Sequence, residues 1–301
     1  MTGAGRPPRG VFVGLSTLDV VYRVVAPPRA NQKVVGHDQL VLAGGPASNA
    51  AVAFGGLGGA ALLVTALGGH PLSRMVVDEL ARYGVDCLDA TPGFAGPPPL
   101  SAVMVSAATG ERAVVSDNGV RAEAGRVDLT GRLRDADVVL VDGHHPGLVR
   151  AALRAAVRHG VPVVVDGGSW QPVFAEVMPR AEFALCSADL RVPGVPAERT
   201  LDALLGLGAR AAGVSDGARP LRWATATDRG EVPVPRVDVV DTLGAGDVLH
   251  GATAFAVASR GASAAALRRW LPWAVSVASL SATSPGTRTW LGAVDSLPPP
   301  P

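Results

Sequence analysis

Much that would place a chain quickly is missing from this one. It has two cysteines in 301 residues, Cys87 and Cys186. They lie far apart with no metal-binding spacing, and so few thiols lead us to expect a reduced, cytoplasmic setting. There is one lysine, Lys33, and 27 basic residues against 26 acidic leave a net charge of +1. A nucleic-acid surface would want a basic excess that is absent. No Gly-Lys-Ser/Thr occurs, which excludes a Walker-type phosphate loop. No Gly-x-Gly-x-x-Gly follows the first apolar run, Val11-Phe12-Val13, which disfavours a nicotinamide-dependent enzyme. The Gly/Pro/Arg-rich start, Met1 to Gly10, lacks an apolar signal core. The longest apolar stretch, Ala50 to Leu67, is interrupted by Gly55, Gly56, Gly58 and Gly59 and reads as helix, turn, strand, so no membrane span is expected.

What remains is a chain with 48% hydrophobic residues, ample for a large core. After the strand at Val11–Val13, two β-rich segments, Val20 to Val25 and Lys33 to Leu42, are separated by Pro27-Pro28 and read as a small antiparallel flap. A strand at Leu62 to Ala66, a helix at Pro71 to Tyr83 ended by Gly84, and a strand at Val85 to Leu88 follow. Past Pro97-Pro98-Pro99, Leu100 to Val105 and Arg112 to Val115 form a hairpin across Thr109-Gly110. From Val127 onward the pattern alternates: helix Val127 to Leu133, strand Asp137 to Asp142, helix Pro146 to His159, strand Val161 to Asp166. A strand at Phe183 to Cys186, a helix at Leu201 to Leu207 and a segment Ala209 to Ser215 continue it. Such alternation predicts an α/β fold with a mostly parallel sheet covered on both faces. Leu221 to Ala224 and Val232 to Val239 are strand-like, a helix starts near Asp247, two more helices run to about Ser281, and Pro298–Pro301 reads as a disordered tail.

The chemistry concentrates at Val239-Val240-Asp241-Thr242-Leu243-Gly244-Ala245-Gly246-Asp247. Read as strand, small-residue turn and helix start, this stretch brings backbone N–H groups and the helix dipole to one point, where an anion can sit. Asp247 stands at the mouth of that corner. A carboxylate there is either a plain helix cap or a general base for an attacking hydroxyl. A second stretch, Gly44-Gly45-Pro46-Ala47-Ser48-Asn49, is a glycine pair leading into a helix. Its Asn49 either caps the helix or exchanges hydrogen bonds with a polyol. Asp19, just past the first strand, lies where open α/β sheets bind ligands. His144 and His145 follow a strand end and would line the same cleft. Asp166, also at a strand end, orients substrate, helps hold a water-coordinated Mg²⁺, or caps its loop. Arg112 either reaches a substrate or phosphate group or is a solvated hairpin residue.

The string Asp241-Thr242-Leu243-Gly244-Ala245-Gly246-Asp247 resembles the signature of the ribokinase-like, PfkB-type carbohydrate kinases, and Gly44-Gly45-Pro46-Ala47-Ser48-Asn49 resembles their N-terminal signature. The two lie about 200 residues apart, one near each end, and the resemblance covers nearly the whole chain. It implies a single three-layer α/β/α domain over 1–301 with a small β lid from segments about 19–43 and 98–118. It implies ATP-dependent phosphorylation of a sugar or sugar-like alcohol, with Asp247 as base and Gly244, Ala245 and Gly246 as anion hole. Asp19, Gly45 and Asn49 would hold sugar hydroxyls. Ser215 and Gly217, in a turn similar to the family's Thr-x-Gly, would meet the nucleotide phosphates, and Gly286 would lie near the adenine pocket. Asp241 would shape its turn and serve a monovalent cation such as K⁺, as in some relatives. The family's Asn-x-x-Glu, tied to Mg²⁺ and phosphate, is replaced by Ser187-Ala188-Asp189-Leu190, which resembles the ketohexokinase-like branch and leaves Mg²⁺ to the nucleotide phosphates and water. Relatives often dimerise through the lid. The resemblance leaves the acceptor open: a nucleoside kinase, a phosphosugar kinase served by Arg112, or a non-catalytic sugar-binding relative are the alternatives.

Overall fold

The computed structural model describes residues 6–107, 112–119, 124–125 and 127–301. The expected turn at Thr109-Gly110 and the first five residues lie outside them. In chain order the first half comprises β1 (Arg9–Val13), β2 (Thr17–Val24), β3 (Asp38–Gly44), α1 (Pro46–Gly56), β4 (Ala60–Thr65), α2 (Pro71–Arg82), β5 (Val85–Asp89), β6 (Leu100–Ser106) and β7 (Arg112–Ser116). The second half comprises α3 (Thr130–Leu133), β8 (Val138–Val141), α4 (Pro146–His159), β9 (Val163–Gly167), α5 (Phe174–Val177), β10 (Ala181–Ser187), α6 (Thr200–Gly206), β11 (Ala211–Asp216), β12 (Arg219–Thr225), β13 (Arg229–Val232), α7 (Ala245–Arg260) and α8 (Ala264–Ser281). A 3₁₀ segment, Thr289–Ser296, follows.

The main sheet has the order β13-β12-β11-β10-β9-β8-β1-β4-β5. Its seven strands from β11 to β5 pair in parallel, and β12 and β13 add an antiparallel edge. The central strands are buried on both faces and alternate side chains between two cores. Phe12, Leu140 and Leu185 face α1, α2, α7 and α8, while Val11, Val13, Val139 and Val141 face α4 and its neighbours. On the first face Phe12, Phe54 and Phe255 stack edge to face at 5.3 and 5.4 Å, joining β1, α1 and α7. The smaller sheet has the order β3-β2-β6-β7 and buries Val21, Leu42, Val103 and Val105, with Leu243 packed against them. This is the layered α/β fold with a separate small sheet that the sequence pattern predicts.

Several local expectations are corrected. Val232 to Val239 does not continue as a strand: β13 ends at Val232. Pro233 and Pro235 remove the donors a ladder needs, and Val239 is 62% exposed. The signature therefore leaves an extended loop, pinned by Val240 N–H donating to Ala282 C=O at 2.8 Å, instead of a strand. One helix, α8, follows α7 where two were expected; it runs through Pro272 without a break. The helix expected from Val127 is only Thr130–Leu133. The proline tail is docked, with Arg260 donating to the carbonyls of Pro300 and Pro301 at 2.9 and 3.2 Å.

Candidate active site

The loop before α7 turns at Gly244, whose φ of 75° is the left-handed region that a side chain would strain. The amide of Ala245 donates to Thr242 C=O at 3.3 Å. Those of Gly246 and Asp247 have no partner among the described residues, as first-turn amides do not. No heavy atom lies within 4 Å of where a Gly246 Cβ would stand, so the corner is open. Asp241 knits the turn: its carboxylate accepts from Leu243 N–H at 2.9 Å and from Gly286 N–H at 3.0 Å. Gly244 is the helix cap and makes no side-chain cap bond, so Asp247, three residues in, is not the capping residue.

Asp247 and Asn49 meet. Asn49 Nδ2 donates to Asp247 Oδ2 at 2.6 Å across 198 residues of sequence. The helix α1 is capped by Gly45 with no side-chain bond, so the amide of Asn49 is free for this contact. The two helices can come so close because Gly251 on α7 has no side chain. A Cβ there would stand 2.4 Å from the Ala50 carbonyl oxygen and 2.7 Å from Ala53 Cβ.

Behind Asn49 sits Arg288, almost wholly buried. It donates to Asn49 Oδ1 at 2.8 Å, to Ala43 C=O at 2.7 Å and to Thr287 Oγ1 at 2.9 Å. Its Nε lies 3.5 Å from Glu79 Oε1, and its guanidinium is 5.6 Å from the Tyr83 ring centre. Glu79 accepts from Ala43 N–H at 2.6 Å, so both backbone groups of Ala43 are held by this pair.

Three further groups set the electrostatics. Burial, then the nearby Asp166 carboxylate, push the pKa of Asp247 up, outweighing the Asn49 hydrogen bond and the charges of His250 and Arg112. Burial and Asp142 likewise raise Asp166. One helical turn after Asp247, His250 Nε2 lies 2.9 Å from Leu185 C=O and Nδ1 lies 3.3 Å from Asp166 Oδ2. Burial lowers the His250 pKa and so favours the neutral ring. With Nε2–H on the carbonyl, the neutral ring turns Nδ1 towards Asp166 Oδ2, and neither atom has a hydrogen-bond partner among the described residues.

A cleft of about 250 Å³ opens between the small sheet and the C-terminal ends of the main-sheet strands, lined by Asp19, Gly45, Ser101, Asp142, His144 and Asp166 among others. Ligands of open α/β sheets bind along this edge. Asp19 stands in β2; its carboxylate accepts from Thr17 Oγ1 at 2.5 Å, and burial raises its pKa. Its Oδ2 occupies the space of a side chain on Gly44, whose Cβ would fall 2.0 Å away. Gly45 has φ 92°, and a Cβ would meet Leu15 C=O at 2.5 Å. Asp142 joins the ends of β1 and β8 by accepting from Leu15 and His144 N–H at 2.8 and 2.9 Å, with His144 Nδ1 3.2 Å from Oδ1. Burial opposes ionisation of Asp142, but His144 and these amides win and lower its pKa.

Ser187 and Ser215 are neighbours in register at the ends of β10 and β11. Ser187 Oγ accepts from Asp189 N–H at 3.1 Å, and Leu190 is buried in the core. Gly217, φ 55°, makes the turn into β12 with open space around it. Gly286 is not joined to that group; its amide is on Asp241, and a side chain there would meet Leu40 of β3 at 3.9 Å. Arg112 is exposed on β7 opposite Val105, near enough for its charge to act on Asp247. His145 sits at φ 54° as the cap of α4. Sequence reading gave no role to Glu79 or His250, and met Arg288 only within Gly286-Thr287-Arg288, expected beside the adenine pocket, not behind Asn49. Arg288 and Glu79 are ordinary surface residue types, and only their burial marks them.

Known proteins resemble this chain over most of its length. The model for pfkB family carbohydrate kinases matches residues 9–292. Ribokinase of Bacillus subtilis is 24% identical over 285 residues, 92% of this chain and 93% of that one. ATP-dependent ribose-1-phosphate kinase of Halopiger xanaduensis is 29% identical over 79% of this chain and 81% of its own length. A crystal structure from Agrobacterium tumefaciens assigned as a ribokinase superposes with a TM-score of 0.82 at 26% identity, covering 96% of this chain and 97% of that one.

Proposed function

The chain belongs to the pfkB family of carbohydrate kinases, and from that membership we propose that it transfers the γ-phosphoryl group of ATP to a hydroxyl of a small sugar or sugar-like alcohol, acting as one kinase domain with a lid. The observation that carries the reading is the 2.6 Å contact joining Asn49 and Asp247 beside the open glycine corner. Asp247 takes the proton of the acceptor hydroxyl as that oxygen attacks phosphorus in line. Its raised pKa suits a base working near neutrality. The corner at Gly244, Ala245 and Gly246 receives the negative charge of the transferred group, through the unpartnered amides of Gly246 and Asp247. Asp19, Gly45 and Asn49 hold the remaining hydroxyls. Ser187, Ser215 and Gly217, at the ends of neighbouring strands, suit the nucleotide phosphates.

Among the described residues no cluster of three or more His, Cys, Asp or Glu has the arrangement of a metal cage. Mg²⁺ would arrive on the nucleotide, keeping water and phosphate oxygens as its ligands, and would supply positive charge to the phosphates beside the glycine corner. Asp241, with both oxygens on backbone amides, supplies negative charge beside the two loops it joins and fits a supporting part next to a monovalent cation such as K⁺. The cleft is below the size of drug-binding pockets and lined by three carboxylates, which favours a neutral polyol over a large or anionic acceptor. A phosphorylated sugar is the second reading, favoured by Arg112 and by the ribose-1-phosphate kinase relative. Exposed Leu40, Val41, Val114 and Val115 on the lid support pairing with a second copy, which light scattering would report as a doubled mass.

The test is ADP release, with ATP and Mg²⁺, over aldoses, ketoses, sugar acids, phosphosugars and nucleosides. Asp247→Asn should fold and lower kcat by roughly 10²–10⁴-fold on the best acceptor. Near-wild-type turnover removes Asp247 from the mechanism. No ADP from any acceptor favours a non-catalytic sugar-binding protein.

A further inference from the structure

Arg288 is expensive to keep where it is. A guanidinium carries five N–H donors and no acceptor. Here it is buried, its Nε has no hydrogen-bond partner among the described residues, and the carboxylate that acts on it most, Glu79, stands 3.5 Å away, with Asp247 and Asp19 acting from further off. Apolar packing would fill this space at lower cost. What the guanidinium does that apolar packing cannot is orient an amide. Because it can only donate, it fixes Oδ1 of Asn49 towards itself at 2.8 Å. The other end of that amide, Nδ2, must then face Asp247, where it donates at 2.6 Å. The same guanidinium holds Ala43 C=O at 2.7 Å, at the end of lid strand β3 and one residue before the Gly44-Gly45 pair that leads into α1. Glu79 holds the N–H of that same Ala43.

We infer that Arg288 is a positioning residue: through Asn49 it aims the Asp247 carboxylate, and through Ala43 it ties that aim to the root of the lid. The inference rests on Asp247 as the base. Asp247 also faces Asp166 on β9, His250 on its own helix and Arg112 on β7, so the effect of Arg288 has to be separated from theirs.

The experiment measures kcat, KM and the pH profile of kcat/KM for wild type, Arg288→Gln and Arg288→Lys, each checked by thermal unfolding. Arg288→Gln should lower kcat about tenfold or more while the KM for ATP stays put. Its acid limb should move up by roughly one pH unit, because Asp247 loses a donor that favours its charged form. Arg288→Lys keeps charge and one donor; it should move the limb the same way by less, and it carries the test if the glutamine variant fails to fold. In an Asn49→Ala background, Arg288→Gln should leave the acid limb where Asn49→Ala alone puts it. Variants that lose stability and kcat with an unmoved acid limb overturn the inference, as does an equal shift in the Asn49→Ala background. Undiminished turnover in Asp247→Asn defeats the reading beneath it instead.

Discussion

Gly251→Ala adds one methyl group, and the structure says what that costs. The new Cβ would stand 2.4 Å from the Ala50 carbonyl oxygen, whereas ordinary contact begins at 3.4 Å. The obstacle is helix backbone, which no rotamer change can move aside, and Ala53 Cβ at 2.7 Å blocks the next direction. The crossing of α1 and α7 must open by about 1 Å. The Asn49–Asp247 bond, 2.6 Å long, then stretches past the range of a hydrogen bond. Misplacement of that size costs on the order of 10²-fold in turnover. Overpacking costs about 1–3 kcal/mol, which lowers Tm by about 2–4 °C for each kcal/mol in a domain of this class. The assay is kcat from ADP release alongside thermal unfolding, with Gly206→Ala as control. Gly206 ends α6 with nothing within 4 Å, so it should be neutral or slightly stabilising. A Gly251→Ala enzyme with kcat within twofold of wild type and an unchanged Tm would show that the close crossing does not set the site.

Other outcomes follow from the charges and the glycines. Burial raises the Asp247 pKa, so its contribution to stability is present below the ordinary aspartate range near pH 4 and is lost as pH rises through the folded value. Asp247→Asn should therefore unfold at a higher temperature than wild type at pH 8, and the gap should close towards pH 4; a pH-independent gap contradicts this sign. Gly44→Ala puts a methyl 2.0 Å from Asp19 Oδ2 and displaces that carboxylate. KM for the acceptor should rise by roughly 10–100-fold, the worth of a hydrogen bond to a charged group, with KM for ATP little changed. An unchanged acceptor KM would take Asp19 out of the acceptor pocket.

The parallel sheet was legible because short β-branched runs alternate with helices whose ends carry their own signals. The span Pro146–His159 was read to the residue from its N-terminal proline and C-terminal glycine. The two glycine-bearing signatures were legible because left-handed, crowded backbone at Gly45 (φ 92°) and Gly244 (φ 75°) leaves little choice but glycine. The loop before Asp241 was misread because β-branched residues suggest a strand, while Pro233 and Pro235 deny it a partner. The single helix α8 stands where two were expected, and Pro272 lies inside it without ending it. Glu79 and His250 left no local trace, and nothing near Arg288 in sequence pointed to Asn49. Each acts through a partner dozens to hundreds of residues away, and spacing along a chain says nothing about such pairs.

The distances along the chain between these partners have a consequence for synthesis. Asn49 waits for Asp247, 198 residues later, and for Arg288, 239 residues later. A ribosome-bound chain that has already made its small sheet and all seven parallel strands still lacks the Asp247 carboxylate and the Arg288 guanidinium. The Asn49 amide is therefore oriented late: neither of its side-chain partners exists until Asp247 and Arg288 have been made and have docked on α1.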